Sequence, residues 1–370
     1  MKKSVPKKKI IVIGTRGIPG IMGGVETHCE ELYPYIVKSG YDVTVVRRSC
    51  HIKEAEPKTK YKGINIKDIY APRKKSFEAI IHTFLGILYA RREHADILHI
   101  HAVGPALLAP IAKMLGMKVI VTHHGADYDR QKWNAVAKFV LKQGEKLGVK
   151  YADRVIVISK SIRDDIHRKY PNTNLALIYN GVPQPVLTVK TDYITQLGLS
   201  PYKYVLALGR FVEEKGFDDL IKAFSEIEHN GYKLVLAGDA DHKTEYSVRL
   251  KGLAKENGVI LTGFIKGKRL NEIMTHSALF VLPSYHEGLP ISLLEAMSYG
   301  KEVVVSNIPA NCLTELSASD FFDVGSITSL KEILEIKLAK DLSLKRDYDM
   351  YLYNWEHIAN QTIALYKELL

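Results

Sequence analysis

Short apolar runs alternate along the chain with longer stretches in which apolar residues recur every three or four positions. The runs are Lys9 to Ile13, Tyr41 to Val46, Ile97 to His101, Lys118 to Thr122, Arg154 to Ile158 and Leu175 to Ile178 in the first half. In the second half they are Tyr204 to Leu208, Lys233 to Ala237, Val259 to Leu261, Leu279 to Leu282 and Val303 to Ser306. Runs this short and this apolar predict strands buried on both faces. The intervening periodicity predicts helices from about Val25 to Ser39, from Gly104 to Leu115 and from Phe217, with Ser159 placed to cap another. Repeated strand–helix units predict an α/β fold of doubly wound parallel sheets. The pattern loosens from Pro183 to about Pro201, which reads as a linker. The final helical stretch, roughly Leu344 to Leu370, is amphipathic and suited to packing back on the first half.

A chain of 370 residues exceeds one ordinary core and predicts two domains. They are placed at residues 1–185, with the terminal helix at about 352–370 returning to them, and at residues 186–351. Cys29, Cys50 and Cys312 lie far apart without metal-ligand spacing, which points to a reducing compartment and no disulfide framework. No signal peptide is evident, and the longest apolar helical candidate, Ala79 to Ala90, is too short to span a bilayer and contains His82. The expected location is cytoplasmic. The net charge of +11 suits phosphorylated ligands, an anionic membrane surface or nucleic acid. No helix-turn-helix, zinc-finger or RNA-recognition pattern accompanies it, so nucleic acid is not expected as a partner. The segment Arg73 to Arg92 is apolar in its middle and basic at its ends, and Lys2, Lys3 and Lys7 to Lys9 add charge. It reads first as a helix covering the sheet with solvated ends, and second as a peripheral contact with the inner face of the plasma membrane.

The candidate chemistry gathers where strands end. The loop Gly14 to Gly24 does not match a dinucleotide fingerprint, and strand two closes on Arg47-Arg48 rather than on an acidic ribose ligand. Gly23 and Gly24, at a helix start, either let backbone approach an anion or sugar or simply form a tight turn. After Pro283 comes Ser284-Tyr285-His286-Glu287-Gly288-Leu289-Pro290, with Pro290 expected in a helix first turn. Ile291, Leu293, Leu294 and Met297 then share one side of the helix, and Gly288, Ser292, Glu295 and Tyr299 the other. Two carboxylates, Glu287 and Glu295, beside the amides of a helix start suit a ligand that is part polyol and part phosphate. Arg210 offers a planar fork and Lys215 a point charge for a diphosphate, without a metal. Asp127 and Asp129, an Asp-x-Asp pair, lie in the other half and are not expected to hold one. His101, His124 and Gly238 also fall at strand ends. The plain alternatives are a satisfied core histidine for His101, a solvated loop for Arg210 and Lys215, and a turn for Gly238.

This arrangement resembles glycosyltransferase family 4, retaining enzymes of the GT-B fold, over essentially the whole chain. The resemblance rests on Glu287 and Glu295, on Gly209-Arg210 with Glu214-Lys215-Gly216, on Asn180-Gly181-Val182 and on the Gly23-Gly24 loop. Gly14 to Pro19 and His124 to Tyr128 with Lys132-Trp133 look like a bacterial branch containing rhamnosyltransferases and related polysaccharide enzymes. It implies two Rossmann-like domains facing a cleft, the first on the acceptor side and the second binding a nucleotide-diphosphate sugar. Glu295 is then expected at the ribose hydroxyls and Arg210 with Lys215 at the diphosphate. Glu287, with the amides of Gly288 and Leu289, is expected at the sugar hydroxyls, and His124, from the Thr-x-His pattern, near the reacting sugar. Gly23, Gly24 and Gly238 would approach phosphate or sugar, and the loop around Ile265 the base. The implied reaction is metal-independent transfer of a hexose-type sugar to a saccharide or lipid-linked acceptor, with no cofactor and with closure about the linker. The competing readings are a hydrolysing epimerase or phosphorylase on the same fold, and a non-catalytic nucleotide- or membrane-binding module.

Overall fold

The computed structural model describes residues 6–21, 23–52, 59–73, 77–126, 128, 134–240 and 242–370. Lys2, Lys3, Asp127, Asp129, Lys132 and Trp133, all singled out above, lie outside the described residues. The chain divides into two compact units, Met1–Gly181 with Tyr351–Leu370, and Val182–Met350.

The first unit holds strands β1 (Lys9–Ile13), β2 (Asp42–Arg48), β3 (Lys60–Tyr61), β4 (Ile64–Ile69), β5 (Ile97–His101), β6 (Val119–His123), β7 (Arg154–Val157) and β8 (Leu175–Leu177). They form one sheet in the order β3-β4-β2-β1-β5-β6-β7-β8, parallel throughout except at the β3–β4 hairpin. Its helices are α1 (Gly24–Lys38), α2 (Glu78–Arg92), α3 (Val103–Ala106), α4 (Ala109–Met114), α5 (Ala135–Tyr151) and α6 (Lys160–Lys169). Successive strand residues point to opposite faces. Ile10 and Val12 therefore join Leu32 and Tyr33 of α1, whereas Ile11 and Ile13 join Ile87 of α2 and Ala106 of α3.

The predicted helix over Gly104 to Leu115 is instead two short ones, α3 and α4. Pro110 sits in the first turn of α4, where its ring and missing N–H bar continuation from the turn before.

The second unit holds β9 (Tyr204–Leu208), β10 (Lys233–Ala237), β11 (Ile260–Gly263), β12 (Leu279–Leu282), β13 (Glu302–Ser306) and β14 (Phe321–Phe322), ordered β11-β10-β9-β12-β13-β14 and all parallel. Its helices are α7 (Asp192–Gln196), α8 (Phe217–Ser225), α9 (Glu245–Glu256), α10 (Lys268–His276), α11 (Ile291–Ser298) and α12 (Ile327–Leu338). Val205, Phe217, Leu220, Leu236, Val281 and Leu334 belong to one core. The stretch expected to be a plain linker contains α7, which is tied to α10 by Glu272 accepting from the Tyr193 and Ile194 amides.

The last helix, α13 (Trp355–Leu369), starts later than its periodicity suggests. Asn354 caps it, accepting from the amides of Glu356 and His357, so the helix begins where its free N–H groups find a partner. Trp355, Ile358, Ile363 and Tyr366 are buried in the first unit against α1. Each apolar side chain of this size contributes about 1.5–3 kcal/mol on burial, which makes α13 part of that unit's core.

Candidate functional site

Both sheets reverse their strand order once, and in open parallel sheets such a reversal opens a crevice at the carboxyl ends of the strands. In the second unit the order runs outward through β10 and β11 on one side of β9, and through β12, β13 and β14 on the other. The reversal lies between β9 and β12. Arg210 and Lys215 follow β9, and Glu287 follows β12.

These two loops are locked together. Gly216 has φ +61°, and a Cβ there would lie 2.3 Å from the Pro283 carbonyl oxygen, so only glycine fits. The Tyr285 amide donates to the Glu214 carbonyl at 2.8 Å, and the Tyr285 hydroxyl donates to Asp219. Lys215 Nζ contacts Glu287 Oε1, which also accepts from Ser284 Oγ at 2.7 Å. The pair is nearly covered, with side-chain exposures of 16% for Lys215 and 12% for Glu287. Arg210 is partly exposed one residue beyond Gly209, as is Glu295 on α11.

Three expectations for this segment are corrected. Pro290 is the N-cap of α11 rather than a first-turn residue, because its ψ of 113° is extended. Gly288 and Leu289 consequently precede the helix instead of supplying its first amides, since a residue before proline avoids the helical region. Tyr299 is buried, its hydroxyl donating to Asn271 Oδ1 and accepting from the Val186 amide, so it does not share an open face with Glu295.

Gly238 has a structural reason of its own. With φ +141°, its Cβ would fall 1.8 Å from the Gly209 carbonyl oxygen, so two strand ends touch there through backbone alone. Ile265 is buried between the exposed Phe264 and Lys266, whose Nζ lies 5.2 Å from the Phe264 ring centroid.

In the first unit the reversal lies between β1 and β5. A Cβ on Gly14, after β1, would lie 2.1 Å from the His101 carbonyl oxygen at the end of β5. Gly23 caps α1, and the space beside it is filled by Glu26, whose Oε2 would lie 2.0 Å from a Cβ there. Glu26 Oε1 accepts from Thr15 Oγ1 and the Arg16 amide. Gly24 has open space at its Cβ position. Arg47 and Arg48 are used internally: Arg47 forks onto Asp68, and Arg48 reaches Glu78 and the Gly14 carbonyl.

Behind His124 runs a chain of buried side chains that sequence reasoning missed, apart from His101. Tyr366 OH lies 2.7 Å from His99 Nδ1, and His99 Nε2 lies 2.7 Å from Thr122 Oγ1. Tyr33 OH lies 2.6 Å from His101 Nε2 and 3.1 Å from His99 Nδ1, while His101 Nδ1 meets His124 Nε2 at 2.9 Å. Burial, then the neighbouring imidazoles, hold His101 and His124 well below the usual histidine range. Burial likewise lowers His28 to about 4, with its hydrogen bond to Asn180 opposing, and lowers His99 to about 3. All four are neutral at pH 7. With Tyr33 donating to the nearer imidazole nitrogen, His101 Nε2, His101 Nδ1 carries hydrogen and donates to His124 Nε2, and His124 then carries hydrogen on Nδ1. The signal in the sequence was His99-x-His101, two positions apart on a strand and therefore on one face.

Among the described residues, two clusters bring potential metal ligands within 4.8 Å: His28 with His101 and His124, and Cys50 with His51 and Glu78. In the first, the His101 and His124 rings lie end to end, with centroids 5.2 Å apart and planes at 29°, so their facing nitrogens address each other rather than a shared point. In the second, Glu78 Oε1 is already bonded by Arg48 at 2.9 Å and His51 at 2.7 Å. A guanidinium occupies the place of the cation.

Comparison with known proteins is in accord with this architecture. The family described as Glycosyltransferase Family 4 matches residues 22–184, and that described as Glycosyl transferases group 1 matches residues 189–351. Sucrose-phosphate synthase from Thermosynechococcus elongatus superposes with a TM-score of 0.84 at 21% identity, over 98% of this chain and 99% of that one. Anabaena HepE, solved with UDP and glucose, gives 0.74 at 17% identity over 99% and 100% of the two chains. These structures establish the fold, that of the GT-B glycosyltransferases. The chain belongs to glycosyltransferase family 4, the two family matches together covering nearly all of it. An uncharacterized glycosyltransferase of Methanocaldococcus jannaschii is 25% identical over 97% of this chain and 98% of its own.

Proposed function

We propose that the protein transfers a hexose-type sugar from a nucleoside-diphosphate donor to a saccharide or lipid-linked acceptor in cell-surface polysaccharide synthesis, with retention at the anomeric carbon and without a metal. The observation that carries this reading is the Lys215–Glu287 pair at the strand-order reversal of the second unit. A covered lysine and carboxylate that neutralise each other form a latent binding site. An incoming diphosphate competes for Lys215, and the released Glu287 accepts hydrogen bonds from sugar hydroxyls. Arg210 adds a second cation for the diphosphate, and Glu295 takes the ribose hydroxyls.

The bond from the anomeric carbon to the diphosphate oxygen breaks as negative charge grows on that oxygen. Arg210 and Lys215 stabilise that charge more strongly than they stabilise the ground state, which is what accelerates the step. The acceptor oxygen attacks the oxocarbenium-like carbon from the face the leaving group vacates, and its proton passes to the departing phosphate. His124, neutral and with hydrogen on Nδ1, serves as a hydrogen-bond donor to the transferred sugar and not as a base. The UDP-bound HepE structures support a uridine donor.

The test is a panel of nucleoside-diphosphate sugars read by thermal shift with chelator present, followed by turnover with a lipid-linked acceptor. One donor should raise the melting temperature and be consumed only with acceptor. Free-sugar release without acceptor, dependence on inorganic phosphate, or loss of turnover to chelator would each overturn the proposal.

A further inference from the structure

His123 and His124 are neighbours in sequence, yet they face opposite sides of the first sheet. His124 turns towards His101, whose other nitrogen meets Tyr33 of α1, whereas His123, the last residue of β6, turns towards α5. There it meets Glu145, and both side chains are only 2% exposed. Two glycines bring α5 close enough for this contact. A Cβ on Gly144 would lie 2.2 Å from the Val103 carbonyl oxygen, and one on Gly148 2.7 Å from Ala106 Cβ, so α5 rests directly on α3. A carboxylate is costly to cover, and an apolar residue at 145 would serve the packing alone equally well.

The bonds around His123 fix its hydrogen. Nε2 lies 3.0 Å from Glu145 Oε2, an acceptor only, and Nδ1 lies 3.2 Å from the Gly125 amide, a donor only. The tautomer with hydrogen on Nε2 satisfies both. Burial works against the Glu145 charge, but the His123 and Tyr128 hydrogen bonds and the nearby Lys169 ammonium hold its carboxyl below the usual range, so it stays an acceptor. Oε2 also accepts from Tyr128 OH at 2.8 Å, and one oxygen therefore grips the chain on both sides of His124. The Gly125 bond closes a ring from a side chain to the amide two residues on, as in an Asx turn. Gly125 itself has φ +129°, where side chains are rarely found, so the chain reverses just after His124. His124 sits inside that ring, its backbone held from His123 and its imidazole from His101.

We propose that Glu145 is a positioning residue for His124, acting through the imidazole of His123 on the backbone of the loop that carries it. The carboxylate holds hydrogen on His123 Nε2. That keeps Nδ1 bare as the acceptor that folds Gly125 back and fixes the direction in which His124 projects. The inference rests on the part given to His124 in sugar transfer above. With an apolar residue at 145 the Nε2 hydrogen is left buried without an acceptor. The imidazole escapes that cost by moving the hydrogen to Nδ1 or by turning, and either change breaks the Gly125 bond.

The test joins nitrogen-15 spectra of the histidine-labelled full chain to melting curves and steady-state turnover of Glu145→Leu, Glu145→Gln, Glu145→Leu/His123→Asn and His124→Ala. Wild-type His123 should carry hydrogen on Nε2. Glu145→Leu should lower kcat about ten- to hundredfold and leave the donor KM within about twofold. Glu145→Gln still presents an oxygen to the Nε2 hydrogen and should keep at least about a third of wild-type kcat. Asparagine at 123 offers the Gly125 amide an acceptor that has no tautomer, so the double variant should recover kcat to within about threefold of wild type. Its melting temperature should stay low, which a loss of activity through instability alone would not allow. Hydrogen on His123 Nδ1 in the wild type, wild-type kcat in Glu145→Leu, or a double variant no faster than Glu145→Leu overturns the proposal. Should Glu145→Leu not fold, the wild-type spectrum and a folded Glu145→Gln with kcat below about a tenth of wild type remain able to overturn it. Wild-type turnover in His124→Ala instead removes the role of His124 itself, a failure told apart because the His123 spectrum is read without turnover.

Discussion

Replacing Lys215 by alanine separates the two parts this residue is given, because each has its own readout. In the ligand-free chain the Glu287 side chain is 12% exposed beside Lys215, and the change removes that charged partner while Ser284 Oγ still donates to the carboxylate. A nearly buried acceptor deprived of its charged partner costs about 1–3 kcal/mol. For a unit of this size that is a fall in melting temperature of roughly 2–12 °C. Adding Glu287→Gln removes the stranded charge, so the double variant should recover most of the loss, whereas two independent defects would add. Catalysis behaves differently. Loss of Lys215 removes charge stabilisation needed as the diphosphate departs, and kcat should fall at least tenfold, about 1.4 kcal/mol. Glu287→Gln does not restore it, since no cation is returned. The assays are thermal denaturation of the four proteins and steady-state turnover with the donor identified in the panel. Recovery of stability without recovery of turnover is expected. A Lys215→Ala enzyme with near wild-type kcat refutes the assignment, and strictly additive melting shifts refute the pairing.

Tyr33→Phe removes the hydrogen that fixes the His101 tautomer while keeping the ring's packing. Nitrogen-15 spectra of histidine-labelled protein should then lose the Nδ1–H signature of His124, and kcat should fall about tenfold with little change in KM; unchanged histidine spectra would dissociate Tyr33 from His124 whatever the activity. The same cluster sets an acid limit. His28 and His99 are lowered to about 4 and about 3, so below the ordinary histidine value of about 6.5 the unfolded chain binds protons that the folded one does not. Stability should therefore decline as pH falls from about 6.5 towards 4, with the first unit melting before the second; coincident melting of both units at every pH would contradict this.

Much of the architecture was legible in the chain because parallel strands buried on both faces must be uniformly apolar. β1, β9, β10 and β12 announce themselves in that way, and a doubly wound α/β fold followed from the alternation of strands with helices, the GT-B class being implied by the family resemblance. Arg210, Lys215, Glu287 and His124 were legible as candidates because they fall in the loops that follow strand ends, where an open parallel sheet offers a crevice. Local rules failed where partners distant in sequence decide. Gly238 and Gly23 look like ligand-facing glycines, yet Gly238 is required by the backbone of Gly209 and Gly23 by the side chain of Glu26.

Tertiary structure alone supplied the strand order, which puts the reversal between β9 and β12 and brings Lys215 to Glu287 across 72 residues. It alone assembled Tyr33, His99, His101 and Tyr366, since side chains from α1, β5 and α13 meet only when the last helix returns to the first sheet. Periodicity records which face of an element is buried. It does not record which other element buries it, and the chemistry of this protein depends on that second fact.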